Sequence, residues 1–229
     1  MRTHVLTGAG SGIGRALADR LRDRGDRLVL LVRDAARIEE LKADFPAAVF
    51  VEADLARPAS LVGLRRAVPD RVDSVLHVAG VVALAPVADD DLVSWQRQLD
   101  VNLTAPAVLT GELLPALRAG RGLVVLVNST AGLAAGPGWS AYAAAKAGLR
   151  AFADSLRAEE AEHGVRVTSV FPGRTATPMQ ERVHAQEGAA YDPARWVRPE
   201  TVAESILHVL DLPPDATLTE LVLRPGPGG

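Results

Sequence analysis

Residues 7–14 have the sequence TGAGSGIG, and this stretch decides how the rest of the chain is interpreted. It follows a short apolar run at 4–6 and opens an amphipathic segment at Ile13, which predicts a strand, a glycine turn and a helix. Glycines allow positive φ angles and the close approach of a ligand. The first helical turn then aims free N–H groups and a positive dipole end at an anion such as pyrophosphate. Ile13 breaks the usual G-x-G-x-x-G spacing, so the turn alone does not identify a nucleotide site.

Apolar runs of strand length alternate with longer segments of helical periodicity along the chain. Strands that are apolar on both faces indicate a parallel sheet covered by helices on each side. Right-handed crossovers then give an α/β, Rossmann-type doubly wound fold of about seven strands. The strands are predicted at 4–6, 28–32, 48–51, 72–78, 122–127, 165–171 and 221–223, and the later helices at 35–44, 58–68, 92–119, 140–163 and 199–212.

Composition indicates one globular unit. With 229 residues, 48% hydrophobic and 23% charged, the chain can bury the core of a single domain spanning 1–229, with a frayed tail at 225–229. A net charge of −3 gives no general attraction to nucleic acid or to a membrane surface. No cysteine is present and the five histidines show no metal spacing, so no metal site is predicted. With no signal peptide or spanning segment apparent, we expect a cytoplasmic protein.

The carboxyl ends of the predicted strands carry small or polar residues. Ligands of open α/β sheets bind beyond these ends, so a long cofactor lying across this edge is expected. The residues concerned are the 7–14 turn, Arg33, Asp54, Ala79, Gly80, Ser129, Pro172 and Gly173.

The end of the second strand bears on the choice between NAD and NADP. An acidic residue about 20 positions past the glycines would hold the ribose 2′-hydroxyl and repel a 2′-phosphate. Here Arg33 follows Val32, and its guanidinium favours a 2′-phosphate. Asp34 gives the contrary signal, although it can instead be the N-cap of the next helix. The sequence favours NADP(H), with NAD(H) as the alternative.

Ser129, Tyr142 and Lys146 form a second group of candidate residues. Ser129 follows the fifth strand, and Tyr142 and Lys146 share one face of the next helix because they are four residues apart. A nearby ammonium would lower the tyrosine pKa from its usual value of about 10. Such a tyrosine can protonate a forming alkoxide or deprotonate an alcohol, while a serine hydroxyl polarises the same oxygen. Taken singly, each residue also has an ordinary structural explanation on a surface helix or in a turn.

Taken together, these motifs resemble the short-chain dehydrogenase/reductase family, in its compact single-domain branch. The resemblance covers nearly the whole chain, and order and spacing both agree. It is carried by residues 7–14, Asp54, Leu55, Ala79, Gly80, Asn102, Ser129, residues 142–146, Pro172, Gly173 and Thr177.

The resemblance implies four catalytic residues. Tyr142 would be the acid/base, Lys146 would lower its pKa and hold the nicotinamide ribose, and Ser129 would orient the substrate carbonyl. Asn102 would fix a water in a proton relay behind Lys146, although it can also be explained as a helix-bend residue.

The resemblance also implies a set of cofactor contacts. Glycines would pass under the cofactor, Asp54 would contact adenine and Thr177 would touch the nicotinamide carboxamide. The expected set is Gly8, Ser11, Gly12, Ile13, Gly14, Arg33, Asp54, Leu55, Ala79, Gly80, Tyr142, Lys146, Pro172, Gly173, Thr175 and Thr177.

Two features depart from the family pattern. His77 and Val78 replace a pair of asparagines, which leaves the support of the sheet edge open; His77 itself is expected to be an interior histidine with a hydrogen-bond partner. Ser11 stands where some NADP-preferring relatives carry a basic residue, so Arg33 would have to bind the 2′-phosphate alone.

Segment 178–198 is expected to determine the substrate. It mixes apolar and charged residues and indicates a partly apolar lid over a small-to-medium, partly apolar ketone or aldehyde, or the corresponding alcohol. Met179 and Trp139 are the candidate substrate contacts, although Trp139 can equally be a core residue.

The family resemblance also implies self-association and an activity. The helices at 92–119 and 140–163 would pack against a second subunit in a homodimer or homotetramer. The predicted function is an NADP(H)-dependent oxidoreductase. The alternatives are an NAD-dependent alcohol dehydrogenase and a non-catalytic NADP(H)-sensing regulator, although such regulators tend to lose the Tyr/Lys pair kept here.

Overall fold

A seven-stranded parallel sheet forms the centre of the computed structural model, which describes residues 1–227. The strand order is β3-β2-β1-β4-β5-β6-β7, so the order reverses between β1 and β4. Such a switch point opens a crevice at the carboxyl ends of the strands. The predicted doubly wound α/β fold is confirmed. The strands are β1 (Thr3–Thr7), β2 (Arg27–Val32), β3 (Val49–Glu52), β4 (Ser74–His77), β5 (Leu123–Val127), β6 (Arg166–Pro172) and β7 (Glu220–Leu223).

Helices cover both faces of this sheet. Successive strand residues point to opposite faces, so Val5 packs into one apolar core and Leu6 into the other. The first core includes Leu109, Leu113, Leu149 and Leu156, and the second includes Leu17, Leu21, Ile206 and Val209. The helices are α1 (Gly12–Asp23), α2 (Ala35–Lys42), α3 (Leu92–Leu99), α4 (Ala105–Gly120), α5 (Ser140–Glu160), α6 (Pro178–Gln186) and α7 (Pro199–Asp211).

Two predicted helices differ in detail from the structure. The helix expected at 58–68 is two short 3-10 turns, Pro58–Leu61 and Leu64–Ala67, because Val62 is extended and Gly63 has a φ of +85°. The helix expected at 92–119 is interrupted by a π-helical turn, Asp100–Thr104, between α3 and α4. That turn contains Asn102, whose hydrogen bonds are described below.

The described part of the chain ends four residues after β7, at residue 227. Residues 225–227 form no helix or strand, and residues 228–229 of the tail predicted to fray lie outside the described part. Within 1–227, none of the helices has the length and apolar character needed to cross a membrane.

Candidate active site

The turn between β1 and α1 has no room for side chains at two of its glycines. A Cβ on Gly8, whose φ is +82°, would stand 2.8 Å from the backbone nitrogen of Ala79, and one on Gly14 would stand 2.1 Å from the Gly8 carbonyl oxygen. Ser11 is the N-cap of α1, but its side chain makes no capping hydrogen bond. The first-turn N–H groups of α1 therefore lack a side-chain acceptor and fit an anionic group of a bound ligand.

A cavity of about 400 Å³ extends from this turn across the carboxyl ends of β4, β5 and β6. It brings together most of the residues expected to contact cofactor or substrate, including both substrate candidates. Those lining it are Gly8, Ser11, Gly12, Ile13, Gly14, Ala79, Gly80, Ser129, Trp139, Tyr142, Lys146, Pro172, Gly173, Thr175, Thr177 and Met179. We call this the main cavity.

A second cavity of about 570 Å³ continues from the same glycine turn toward β2 and β3. Gly8, Ala79 and Gly80 line both cavities, so the two form one groove across the sheet edge. The predicted contacts that the main cavity lacks, Arg33, Asp54 and Leu55, line this second cavity.

Helix α5 carries Tyr142 and Lys146 into the main cavity, where both side chains are buried. The Lys146 Nζ donates a hydrogen bond of 2.8 Å to the Val127 carbonyl oxygen and lies 5.8 Å from the centre of the Tyr142 ring. Burial lowers the pKa of Lys146 to about 7, because the charged ammonium loses its hydration. Lys146 is thus poised to change its charge near neutral pH.

The Tyr142 pKa differs from the sequence-based expectation. Burial raises it above its usual value of 10.0, and the neighbouring Ser129 hydroxyl acts in the opposite direction. Lys146 is not among the groups that shift the Tyr142 pKa, and desolvation of the phenolate is the largest cause. Trp139 packs edge-on against Tyr142, with ring centres 5.7 Å apart, and forms a cavity wall.

Ser129 stands opposite this tyrosine, at the end of β5. Its backbone N–H donates to the Asn128 side-chain oxygen at 2.9 Å, and its Oγ accepts from the Ala131 N–H at 3.1 Å. One of the two Oγ lone pairs accepts this bond, and the hydroxyl proton can be donated toward the cavity.

Asn102 is fully buried behind the cavity rather than lining it. Its side chain makes two hydrogen bonds with the Val81 backbone, accepting from the N–H at 3.0 Å and donating to the carbonyl at 2.8 Å. A Cβ on Gly80 would stand 3.0 Å from the Asn102 Oδ1 and 3.9 Å from the Lys146 Nζ, so the two groups are neighbours. The π-helical turn interrupts the helix at Asn102, which agrees with the helix-bend explanation. The same turn brings the Asn102 side chain to the neighbourhood of Lys146.

The sheet edge at the position of the missing asparagines is supported by other side chains. The Thr7 hydroxyl accepts hydrogen bonds from the N–H groups of Val78 and Ala79, at 3.1 and 3.2 Å. The His77 Nε2 lies 2.8 Å from the Thr110 Oγ1. Burial, with a smaller contribution from the Lys146 charge, lowers the pKa of His77 to about 3. His77 is therefore a neutral interior histidine, as expected.

The arginine end of the second cavity includes two residues that sequence reasoning missed, Arg37 and Arg97. Arg33 is exposed and pairs with Asp34 at 2.8 Å, while Asp34 also accepts from the Arg37 N–H at 2.9 Å, which confirms it as the N-cap of α2. The Arg37 guanidinium donates to the Gly10 carbonyl and pairs with Glu40. For Arg37, the signal available in the sequence was its place in the first turn of the helix that follows β2.

Two further arginines line the main cavity: Arg174, which precedes the expected lid segment, and Arg182 within it. Arg174 makes a two-point ion pair with Glu187 at 2.7 Å and lies over the Trp196 ring. A parallel bridge between Thr175 and Val197 returns the lid to the sheet edge. Arg182 could have been found from its spacing, because it lies three residues after Met179 on α6.

In residues 1–227, no group of three or more His, Cys, Asp or Glu side chains is arranged to hold a metal ion. The site's polar side chains instead carry a phenol, hydroxyls, amides, an amine and guanidinium groups, and its backbone offers free N–H donors. This donor set suits a phosphate-bearing organic cofactor.

Comparison with known proteins gives consistent matches. The family profile described as short chain dehydrogenase matches residues 2–188. An uncharacterized oxidoreductase of Staphylococcus epidermidis is 30% identical over 227 residues, covering 96% of each chain. A Burkholderia thailandensis oxidoreductase of the short chain dehydrogenase/reductase family superposes with a TM-score of 0.85 at 34% identity, covering 97% of this chain and 91% of that one. A short-chain dehydrogenase from Sphingobium yanoikuyae in complex with NADPH gives a TM-score of 0.82 at 26% identity, covering 97% and 87%.

Proposed function

This chain belongs to the short-chain dehydrogenase/reductase family of oxidoreductases, and we propose that it uses NADP(H) to interconvert a small-to-medium, partly apolar ketone or aldehyde and its alcohol. One observation carries the proposal. Ser129, Tyr142 and Lys146 converge on a cavity that is continuous with the glycine turn. A cofactor extended from that turn would have its reactive end beside the tyrosine.

In carbonyl reduction, Ser129, Tyr142 and Lys146 have separate roles. When bound, NADPH supplies a hydride to the carbonyl carbon. Ser129 donates a hydrogen bond to the carbonyl oxygen, and Tyr142 transfers its proton to that oxygen as negative charge develops on it. Protonated Lys146 favours the resulting phenolate, which regains a proton from solvent. In alcohol oxidation the same groups act in reverse, with Tyr142 as the base.

The preference for NADP(H) rests on the charges of the second cavity. Arg33, Arg37 and Arg97 line it, and Asp34 is engaged by the Arg33 guanidinium and by the N-terminus of α2. A carboxylate already occupied in this way is a poor acceptor for a ribose hydroxyl, whereas the arginines favour a phosphate. NAD(H) is the second candidate because the carboxylates of Glu40 and Asp54 also line this cavity, and Glu40 pairs with Arg37.

We also propose that the chain self-associates through α3, α4 and α5. Leu92 and Val93, at the start of α3, are 78% and 79% exposed, which leaves apolar surface available for a second subunit. Sedimentation should give a homodimer or a homotetramer. A monomer at all protein concentrations would contradict this part of the proposal.

A panel of neutral ketones, aldehydes and alcohols, followed by nicotinamide absorbance in both directions, tests the activity itself. We expect turnover with NADPH and carbonyl compounds, and a lower kcat/KM with NADH. Cofactor binding without turnover of any compound would favour the NADP(H)-sensing regulator. A higher kcat/KM with NADH than with NADPH would contradict the assignment of the arginines to a 2′-phosphate.

A further inference from the structure

The charged side chains around the main cavity are all basic. Lys146, Arg174 and Arg182 line it, and none of the Asp or Glu side chains in residues 1–227 does. A cavity lined by one sign of charge raises the local concentration of ligands with the opposite charge. The main cavity thus favours anionic ligands, the cofactor included.

Two of these three cations already have partners within the chain. Lys146 donates to the Val127 carbonyl, and Arg174 makes its two-point ion pair with Glu187. The exposed Arg182 guanidinium makes no hydrogen bond or ion pair with any part of the chain from 1 to 227. Arg182 is therefore the cation that can bind a ligand without breaking an existing contact.

The position of Arg182 on α6 puts it within reach of a substrate at the catalytic residues. A Cβ on Gly80 would lie 3.9 Å from both the Met179 Cε and the Lys146 Nζ, so both side chains approach Gly80 in the main cavity. Arg182 lies three residues further along the helix, a rise of about 4.5 Å. A small molecule with its carbonyl at Tyr142 would extend past Met179 toward this guanidinium.

We propose that the substrate is a carboxylate-bearing carbonyl compound, an oxo acid or the corresponding hydroxy acid, and that Arg182 binds its carboxylate. This inference rests on the proposed oxidoreductase function. A guanidinium can hold a carboxylate through two parallel hydrogen bonds, which orients as well as attracts. With the carboxylate fixed, the carbonyl carbon gains the hydride and its oxygen gains the Tyr142 proton, so that the oxo acid and NADPH yield the hydroxy acid and NADP⁺.

The experiment compares oxo acids with their uncharged esters, using acetoacetate and levulinate against methyl acetoacetate and methyl levulinate with NADPH. We expect the wild-type kcat/KM to favour each acid over its ester. Arg182→Gln should lower the kcat/KM for the acids by about tenfold to a hundredfold, the range for a lost hydrogen bond to a charged group. Arg182→Lys, which keeps the charge but not the planar fork, should recover part of that loss.

Arg27→Gln is the matched control, because it removes the same charge from an exposed residue at the start of β2, away from the cavity. It should leave the acid-to-ester ratio unchanged. The inference fails while the proposed function stands if neutral ketones are reduced but the acids are no better than their esters, or if Arg182→Gln lowers both equally. A raised KM for NADPH in Arg182→Gln, with an unchanged acid-to-ester ratio, would assign Arg182 to the cofactor and overturn the inference. Absence of turnover with every compound would overturn the inference and the proposed function together.

Discussion

The groove across the sheet edge has a buried end at Tyr142 and Lys146 and an exposed end at Arg33 and Arg37. Lys146 is only 3% exposed, and burial moves its pKa to about 7, whereas the Arg33 side chain is 70% exposed and pairs with a neighbouring carboxylate. A charge that has lost its hydration responds strongly to its surroundings, and an exposed charge is screened by water and salt. Substitutions at the buried end should therefore have larger consequences than those at the exposed end.

Replacing the buried lysine should have large effects of opposite sign on activity and on stability. Lys146→Met should lower kcat/KM by about a thousandfold, within the range for lost acid–base assistance. The same variant should have a higher Tm at pH 7, because it no longer buries a group whose pKa falls from 10.5 to about 7 on folding.

The pH dependence of that Tm difference provides the control. Between the folded and unfolded pKa values of Lys146, the unfolded wild type binds more protons, so wild-type stability rises with pH across this window. The Tm advantage of Lys146→Met should shrink from pH 7 toward pH 10. A constant difference would show that the lysine is not titrating as a buried group.

Buried His77 should make the stability of the protein sensitive to acid. The pKa of His77 is about 3 in the folded chain against 6.5 normally, so the unfolded state binds an extra proton as the pH falls below 6.5. His77 should lower the free energy of unfolding by about 1.4 kcal/mol for each pH unit in that range. His77→Gln, which keeps a hydrogen-bonding group for Thr110 but cannot become charged, should flatten this dependence in urea unfolding at pH 6 and pH 4. If the free energy of unfolding changes equally with pH in both proteins, the low pKa of His77 is refuted. His4, whose pKa burial also lowers, should leave some residual slope.

The exposed end should give the smallest effects. Arg33→Gln and Arg37→Gln should each raise the KM for NADPH by about twofold to fivefold, because exposed ion pairs contribute about 0.2–1 kcal/mol. The KM for NADH should change less, since that cofactor lacks the 2′-phosphate. Arg27→Gln, at the amino-terminal end of β2 and away from the groove, is again the control. Equal effects on both cofactors would mean that these arginines act on structure instead of on phosphate.

Sequence reasoning succeeded where a residue's position follows from local periodicity and sheet topology. The four-residue spacing of Tyr142 and Lys146 fixed their shared helix face, and the parallel topology brought Ser129 to the same edge. The Asp34 N-cap and the interior His77 were also anticipated from local rules.

The remaining features depend on contacts between distant parts of the chain. The π-helical turn at Asn102 forms around hydrogen bonds to Val81, which lies 21 positions earlier. Arg37 reaches back 27 positions to Gly10, and Thr7 supports Val78 and Ala79 across more than 70. The raised Tyr142 pKa follows from burial depth, which periodicity does not measure. Such features could not be derived from segment patterns alone.

The most direct test of the account compares the chain's two tyrosines. Tyr142→Phe keeps the ring packed against Trp139 and removes only the hydroxyl, while Tyr191→Phe makes the same change in the lid, where the ring packs against His184. With NADPH and the best ketone of the panel, Tyr142→Phe should lower kcat by about a hundredfold to ten-thousandfold, with NADPH binding retained, and Tyr191→Phe should stay near wild type. Near wild-type turnover by Tyr142→Phe would contradict the claim that this phenol transfers the proton.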